Sequence, residues 1–310
     1  MTNAMTDVAP GVPARSLGLA ALSYLSFSTA DALIKGSSAA YSVFQIATVM
    51  SLFALLPVVV LGLAQGGVRG LLPNRWGLVL LRGVLTATGS ICAWLAFSML
   101  PLADGYAILF AAPMLVTVLS AVILREEVGW RRWLATGIGF AGVMVMVRPD
   151  FATLELGHGL ALAGASCGAL SFVVLKRIGT RERSAPVLFI LFLSILAASL
   201  PMTVRDFVMP DLTGLLAMAV AGLLMGMGQT GLVLATRSAP AVVVAPFQYS
   251  QMIWAVLFGA LLFGDRPTPM LFAGMALVVG SGLFILWRET VRRTIVTIAT
   301  HGEVPARAAR

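Results

Sequence analysis

The stretch Gly18-Leu19-Ala20-Ala21-Leu22-Ser23-Tyr24-Leu25-Ser26-Phe27-Ser28-Thr29-Ala30-Asp31-Ala32-Leu33-Ile34-Lys35 decides how the chain is read. It is apolar for most of its length and reaches a lysine 17 residues after its first glycine. Gly159 to Lys176 closes a second apolar run with the same separation. Another pair of landmarks repeats further along. Glu127 is followed 15 residues later by Gly142, and Asp265 is followed 15 later by Gly280, each acid standing in a turn between two apolar runs. A helix needs roughly 20 mostly apolar residues to cross about 30 Å of hydrocarbon. Runs of that kind cover 17–35, 42–64, 76–98, 102–124, 131–147, 157–177, 185–203, 212–235, 240–263 and 268–287, the fifth being short. The breaks between them are turn-rich or charged, as at Gln65-Gly66-Gly67, Leu100-Pro101, Arg148-Pro149-Asp150 and Asp265-Arg266-Pro267. The first run does not read as a cleaved signal: Asp31 and Lys35 stand where small residues would mark the cleavage site.

Composition agrees. The 310 residues are 59% hydrophobic and 11% charged, with a mean hydropathy of +0.96, whereas soluble domains carry about 25% charged residues. Tandem soluble domains, nucleic-acid binding modules and disordered tails are excluded. Cys92 and Cys167 both lie inside apolar runs, so no disulfide framework or metal knuckle is implied. His158 and His301 read as lying outside the runs, no P-loop is present, and neither a metal nor a cofactor is expected.

Orientation follows from Lys and Arg in short loops. With the N-terminus in the cytoplasm, 17 of the 21 Lys and Arg fall inside; only Lys35, Arg148, Arg205 and Arg266 fall outside. Both termini are therefore expected in the cytoplasm of an inner-membrane protein. Trp76, Trp130, Trp133 and Trp287 fall at cytoplasmic span boundaries, where an amphipathic ring belongs, and Trp94 and Trp254 fall deep in their spans.

Five spans per copy is an odd number, so the two copies must lie upside down to each other. The expected fold is an all-α membrane protein of ten transmembrane helices, two inverted five-helix repeats around a central cavity, the arrangement of secondary transporters. The repeats are placed at 17–148 and 157–287, between cytoplasmic tails at 1–16 and 288–310.

At Pro101-Leu102-Ala103-Asp104-Gly105, Phe110-Ala111-Ala112-Pro113 and Leu124-Arg125-Glu126-Glu127-Val128-Gly129-Trp130-Arg131-Arg132, the chain resembles the EamA-type exporters of the drug/metabolite transporter superfamily. Val244-Ala245-Pro246-Phe247-Gln248-Tyr249 and Phe263-Gly264-Asp265-Arg266-Pro267 carry the resemblance in the second half. It covers about 17 to 290 and implies export of small metabolites, amino acids or amphiphilic compounds among them. One departure stands out: such proteins often carry an arginine shortly after the equivalent of Gln45, and here the stretch reads Gln45-Ile46-Ala47-Thr48.

Polar side chains in lipid turn toward the bundle interior or a watery path. Tyr24, Ser28, Asp31 and Lys35 form one stripe on the first span, and Thr86, Ser90, Trp94 and Ser98 form one on the third. Tyr106, Phe110, Pro113 and Thr117 share a face of the fourth; Phe247, Gln251, Trp254 and Phe258 line up on the ninth beside Gln248. The candidate substrate-binding residues are Tyr24, Asp31, Ser90, Trp94, Tyr106, Gln229, Gln248, Gln251 and Trp254. A carboxylate in the bilayer costs about 2.5–3.5 kcal/mol on insertion scales. Asp31 therefore either pairs with Lys35 at i+4 or serves coupling, with protons as the coupling ion, or cargo binding. Gln229 is either interhelical glue or a ligand. Gly222, Gly226, Gly228 and Gly231 read as close helix contacts rather than hinges. A membrane enzyme on lipid-linked substrates would need clustered acids, a histidine or a nucleophile with its base, and no such cluster is found.

Overall fold

The computed structural model describes residues 14–125, 129–147, 155–179, 182–239 and 244–284. The expected turn at Glu126-Glu127, the boundary residue Trp287, His301 and both tails lie outside these. The helices are α1 (Ala14–Ser37), α2 (Val43–Gly66), α3 (Trp76–Met99), α4 (Leu102–Leu109), α5 (Ala112–Ile123), α6 (Trp130–Val147), α7 (Leu156–Ile178), α8 (Ser184–Arg205), α9 (Leu212–Ser238), α10 (Ser250–Phe263) and α11 (Pro269–Phe284). The fourth span is α4 plus α5, broken at Phe110-Ala111 because Pro113 cannot donate to, and clashes with, the carbonyl four residues back. The ninth begins with a 3₁₀ turn, Ala245–Tyr249, around Pro246 and continues as α10. Among the described residues, eight spans are long and apolar enough to cross a membrane by length and composition; α6 and α11 are shorter apolar helices. Among the described residues there is no strand.

The packing has the symmetry of the inverted repeat. α1 runs along α9 as α3 runs along α7; α2 meets α9 as α3 meets α8; α1 meets α10 as α7 meets α4 and α5. Exchanging the halves turns each contact into its partner. The pairs α2 with α8 and α4 with α10 map onto themselves. So does α6 with α11, where a Cβ on Gly142 would stand 2.9 Å from the Gly274 carbonyl.

Glycines set how close α9 comes. Gly222 faces the Met50 carbonyl, Gly226 the Ala54 carbonyl and Pro57 ring, Gly228 the Phe27 ring, and Gly231 the Ser23 hydroxyl. They are packing contacts, as expected, because any side chain there would displace α1 or α2.

Hydrogen bonds finish the seam between α2 and α8. Thr48 Oγ1 lies 2.8 Å from both Ser199 Oγ and Thr203 Oγ1. Gln45 Nε2 donates to the Val208 carbonyl at 2.6 Å, and Val208 N donates to Gln45 Oε1 at 3.0 Å. Gln45-Ile46-Ala47-Thr48 thus anchors helices instead of presenting a charge. Such interhelical bonds average about 0.6 kcal/mol in membranes, so close packing, not these bonds, holds the bundle together. His158, expected outside the runs, is in the first turn of α7, where its Nδ1 accepts the Glu155 N–H at 3.2 Å.

Candidate functional site

Asp31 stands two turns before the end of α1 and is only 7% exposed. Its Oδ1 accepts the Trp94 indole N–H at 3.1 Å, and its Oδ2 accepts the Tyr106 hydroxyl at 2.5 Å. Gln251 Nε2 donates to that same phenol oxygen at 3.4 Å. One carboxylate therefore gathers α1, α3 and α4 of the first half and, through Tyr106, α10 of the second. Ser28 lies against the phenol without closing a hydrogen bond. Trp94 and Tyr106 have found the polar partner that a buried ring with an N–H or O–H requires.

The pair Asp31–Lys35 does not form. Lys35 Nζ instead donates to the Leu100 carbonyl at 2.5 Å and the Phe97 carbonyl at 3.1 Å, and sits 5.2 Å from the centre of the Phe263 ring. The last carbonyls of α3 lack helical partners and carry the negative end of its dipole, so an ammonium there meets several acceptors at once. Lys35 thereby ties α1, α3 and α10 at one end of the bundle.

An aromatic wall flanks the carboxylate. Phe97 stacks on Tyr106 at 5.0 Å, Tyr106 meets Phe110 at 6.4 Å, and Phe110 stacks on Tyr249 at 5.7 Å, joining the two broken spans. Tyr249 escaped the sequence reading, although the criterion that singled out Tyr106, a polar ring at mid-depth, applies to it equally. Of the other candidates, Tyr24 is buried further along the α1 stripe, edge-on to Phe27 at 5.9 Å. Ser90, Gln229 and Gln248 are half-buried, and no hydrogen bond joins them to the cluster among the described residues. Trp254 stacks on Phe258 at 5.9 Å, again outside the hydrogen-bonded group.

The two halves expose their interior stripes differently. Superposing Gly18 on Gly159 carries Asp31 onto Phe172 and Lys35 onto Lys176. Ala20, Tyr24, Phe27 and Asp31 are all buried. On α7, Ala161 and Ala165 are buried but Gly168, Phe172 and Lys176 are exposed, Phe172 by 47%. The interior stripe is thus covered along α1, and on α7 it is covered only over its first half, among the described residues.

The sequence profile of the EamA-like transporter family matches residues 15–148 and, separately, 155–287. The chain belongs to that family. This EamA-like transporter is 29% identical over 270 residues to a riboflavin transporter of Vibrio cholerae serotype O1, covering 86% of this chain and 91% of the relative. It is 26% identical to an S-adenosylmethionine uptake transporter of Rickettsia prowazekii, over 77% of this chain and 80% of that one. A pseudopaline exporter of Pseudomonas aeruginosa is likewise 26% identical, over 84% and 92%. A crystal structure sharing 19% identity superposes with a TM-score of 0.65 over 91% of this chain and 99% of the other, a likeness of fold. The EamA-like chain is thus a multi-pass membrane transporter of small molecules and not an enzyme.

Proposed function

We propose that the protein exports small metabolites, amino acids or amphiphilic compounds among them, across a bacterial inner membrane by alternating access. The observation that carries this is the Asp31–Trp94–Tyr106–Gln251 cluster, which lies where the halves meet, just beyond the open stripe of α7. Cargo arriving from the Lys176 end meets the aromatic wall first and the carboxylate behind it. Tyr24, Ser90, Gln229, Gln248 and Trp254 complete the proposed path. The count of 17 cytoplasmic Lys and Arg supports placing the Lys176 end inside. In this reading Asp31 exchanges a proton with the cargo, because it holds two neutral donors and no cation. Import is the second reading, favoured by the relatives named for uptake.

Proteoliposomes with an imposed proton gradient test both, using a panel that contains amino acids, riboflavin and S-adenosylmethionine. The expected result is outward-directed accumulation that falls at least about tenfold in Asp31→Asn, while downhill exchange persists. Wild-type uphill transport in Asp31→Asn would sink the coupling role. Accumulation only in the opposite direction would replace export by import. Cysteine labelling should find residues 176–184 inside and 149–157 outside; the reverse would invert every loop.

A further inference from the structure

Arg82 is a half-buried cation that no carboxylate neutralises among the described residues. Its Nε and Nη1 atoms are shielded from solvent and have no hydrogen-bond partner. It lies nearly two turns into α3, whose exposed face carries Leu80, Leu81 and Val84. Arg82 and Thr86 project from the opposite side, so the guanidinium is not reaching into lipid. Thr86 Oγ1 lies 2.5 Å from Ser171 Oγ on α7 and also donates to the Arg82 carbonyl at 2.8 Å. One turn further on, a Cβ at Gly89 would be 3.1 Å from Cys167 of α7. Arg82 thus stands on the interior side of α3, one turn before the Thr86–Ser171 contact with α7.

Truncating or stranding one member of a buried ion pair costs several kcal/mol, and an intramembrane arginine is tolerated where a counter-charge or water compensates it. At the same end Lys176 and Arg177 stand exposed in the last turn of α7, and the Glu182 carboxylate is taken up by the Asn74 and Arg75 N–H groups. Matching Leu100-Pro101 with Ala239-Pro240 carries Arg82 onto Ala221, so the packing of the second half has no need of a charge there. The vacancy is one of charge, and the donors present fit planar oxyanions.

We infer that the Arg82 guanidinium binds an anionic oxygen group, a carboxylate or a phosphate, on the interior side of α3. The inference does not depend on direction of transport or on Asp31. The group belongs either to a small molecule in the vestibule or to a lipid headgroup, and the experiment separates these sources.

The full chain is placed in nanodiscs of phosphatidylcholine and its thermal midpoint followed against inorganic phosphate, with chloride at matched ionic strength. Wild type gains stability with saturating phosphate dependence; Arg82→Gln weakens that response at least about tenfold, and Arg82→Lys weakens it less because the fork is lost but not the charge. Without phosphate, Arg82→Gln is at least as stable as wild type, since an unpaired buried charge has gone. A second set of discs containing phosphatidylglycerol identifies the source. If the lipid headgroup is the ligand, these discs stabilise wild type more than Arg82→Gln and abolish the phosphate response. Should Arg82→Gln not fold, the comparison of wild type with Arg82→Lys decides. Equal phosphate and phosphatidylglycerol responses in wild type and variant overturn the site.

Discussion

The Lys35 end and the Lys176 end carry equivalent lysines with different described contacts. Lys35 is locked onto the α3 carbonyls of Phe97 and Leu100. The equivalent carbonyls for Lys176 belong to Thr236 and Ala239 of α9, yet Lys176 Nζ reaches Ser120 Oγ on α5 at 3.3 Å and its side chain is exposed. Both halves own the lysine and the helix end, and under the proposed alternating access this difference is the one that would be exchanged. The carboxylate is another matter. Phe172 stands where the repeat would put a second Asp31, with Val233 for Trp94 and Ala245 for Tyr106. Closure is shared between the halves, whereas the polar cluster belongs to one of them.

The largest effect is expected from freezing one end. With Cys92 and Cys167 replaced by Ala, the pair Gly36→Cys with Phe263→Cys is bridged by a short bifunctional thiol reagent, since a Cβ on Gly36 would stand 4.0 Å from the Phe263 ring. Transport should stop and return on reduction. The equivalent pair, Arg125→Cys with Arg177→Cys, should not bridge while the Lys35 end is closed. Equal bridging of both pairs would break the comparison.

Next comes packing against open space. Gly226→Val pushes into the Ala54 carbonyl and Pro57, and overpacking of this kind costs about 1–3 kcal/mol. Gly168→Ala meets nothing within 4 Å and should leave the unfolding free energy within about 0.5 kcal/mol of wild type. A large loss from Gly168→Ala would mean that the α7 stripe is packed after all.

Lys35→Gln should loosen its own end alone. Ser28→Cys, fully buried here, should react about three times faster with a thiol reagent in the Lys35→Gln background, and no faster with Lys176→Gln. The smallest effect belongs to Tyr41→Phe. The Tyr41 hydroxyl bonds Asp211 at 2.8 Å, and the Gly214 N–H with that hydroxyl holds the Asp211 carboxyl below its usual range. A lowered carboxyl adds stability above its ordinary pKa and loses it as pH falls through its depressed folded-state pKa, so the slight Tyr41→Phe deficit at neutral pH should vanish in strong acid.

The fold was legible because ten long apolar runs have few ways to exist, and because Gly18/Lys35 and Gly159/Lys176 betray the repeat. Helical spacing also put Asp31, Trp94, Tyr106 and Gln251 on candidate faces, each on its own helix. What periodicity cannot see is the neighbour across a seam. It offered Lys35 to Asp31, one turn away, whereas the open carbonyls of α3 lie 62 and 65 residues further along the chain. The clamp of Gln45 on Val208 and the unpaired state of Arg82 were hidden for the same reason, since both depend on which helix stands opposite.

The hydroxyl seam of Thr48, Ser199 and Thr203 sets how solution conditions act on the transporter. Hydroxyls exchange donor and acceptor roles by rotation and carry no charge. The α2–α8 pair, which maps onto itself when the halves are exchanged, is therefore indifferent to ionic strength and to acid. The lysine contacts at the two ends are not, because salt screens an exposed cation far more than a buried hydroxyl. A brine titration of this protein should consequently change how often its ends open while leaving its central axis mechanically untouched.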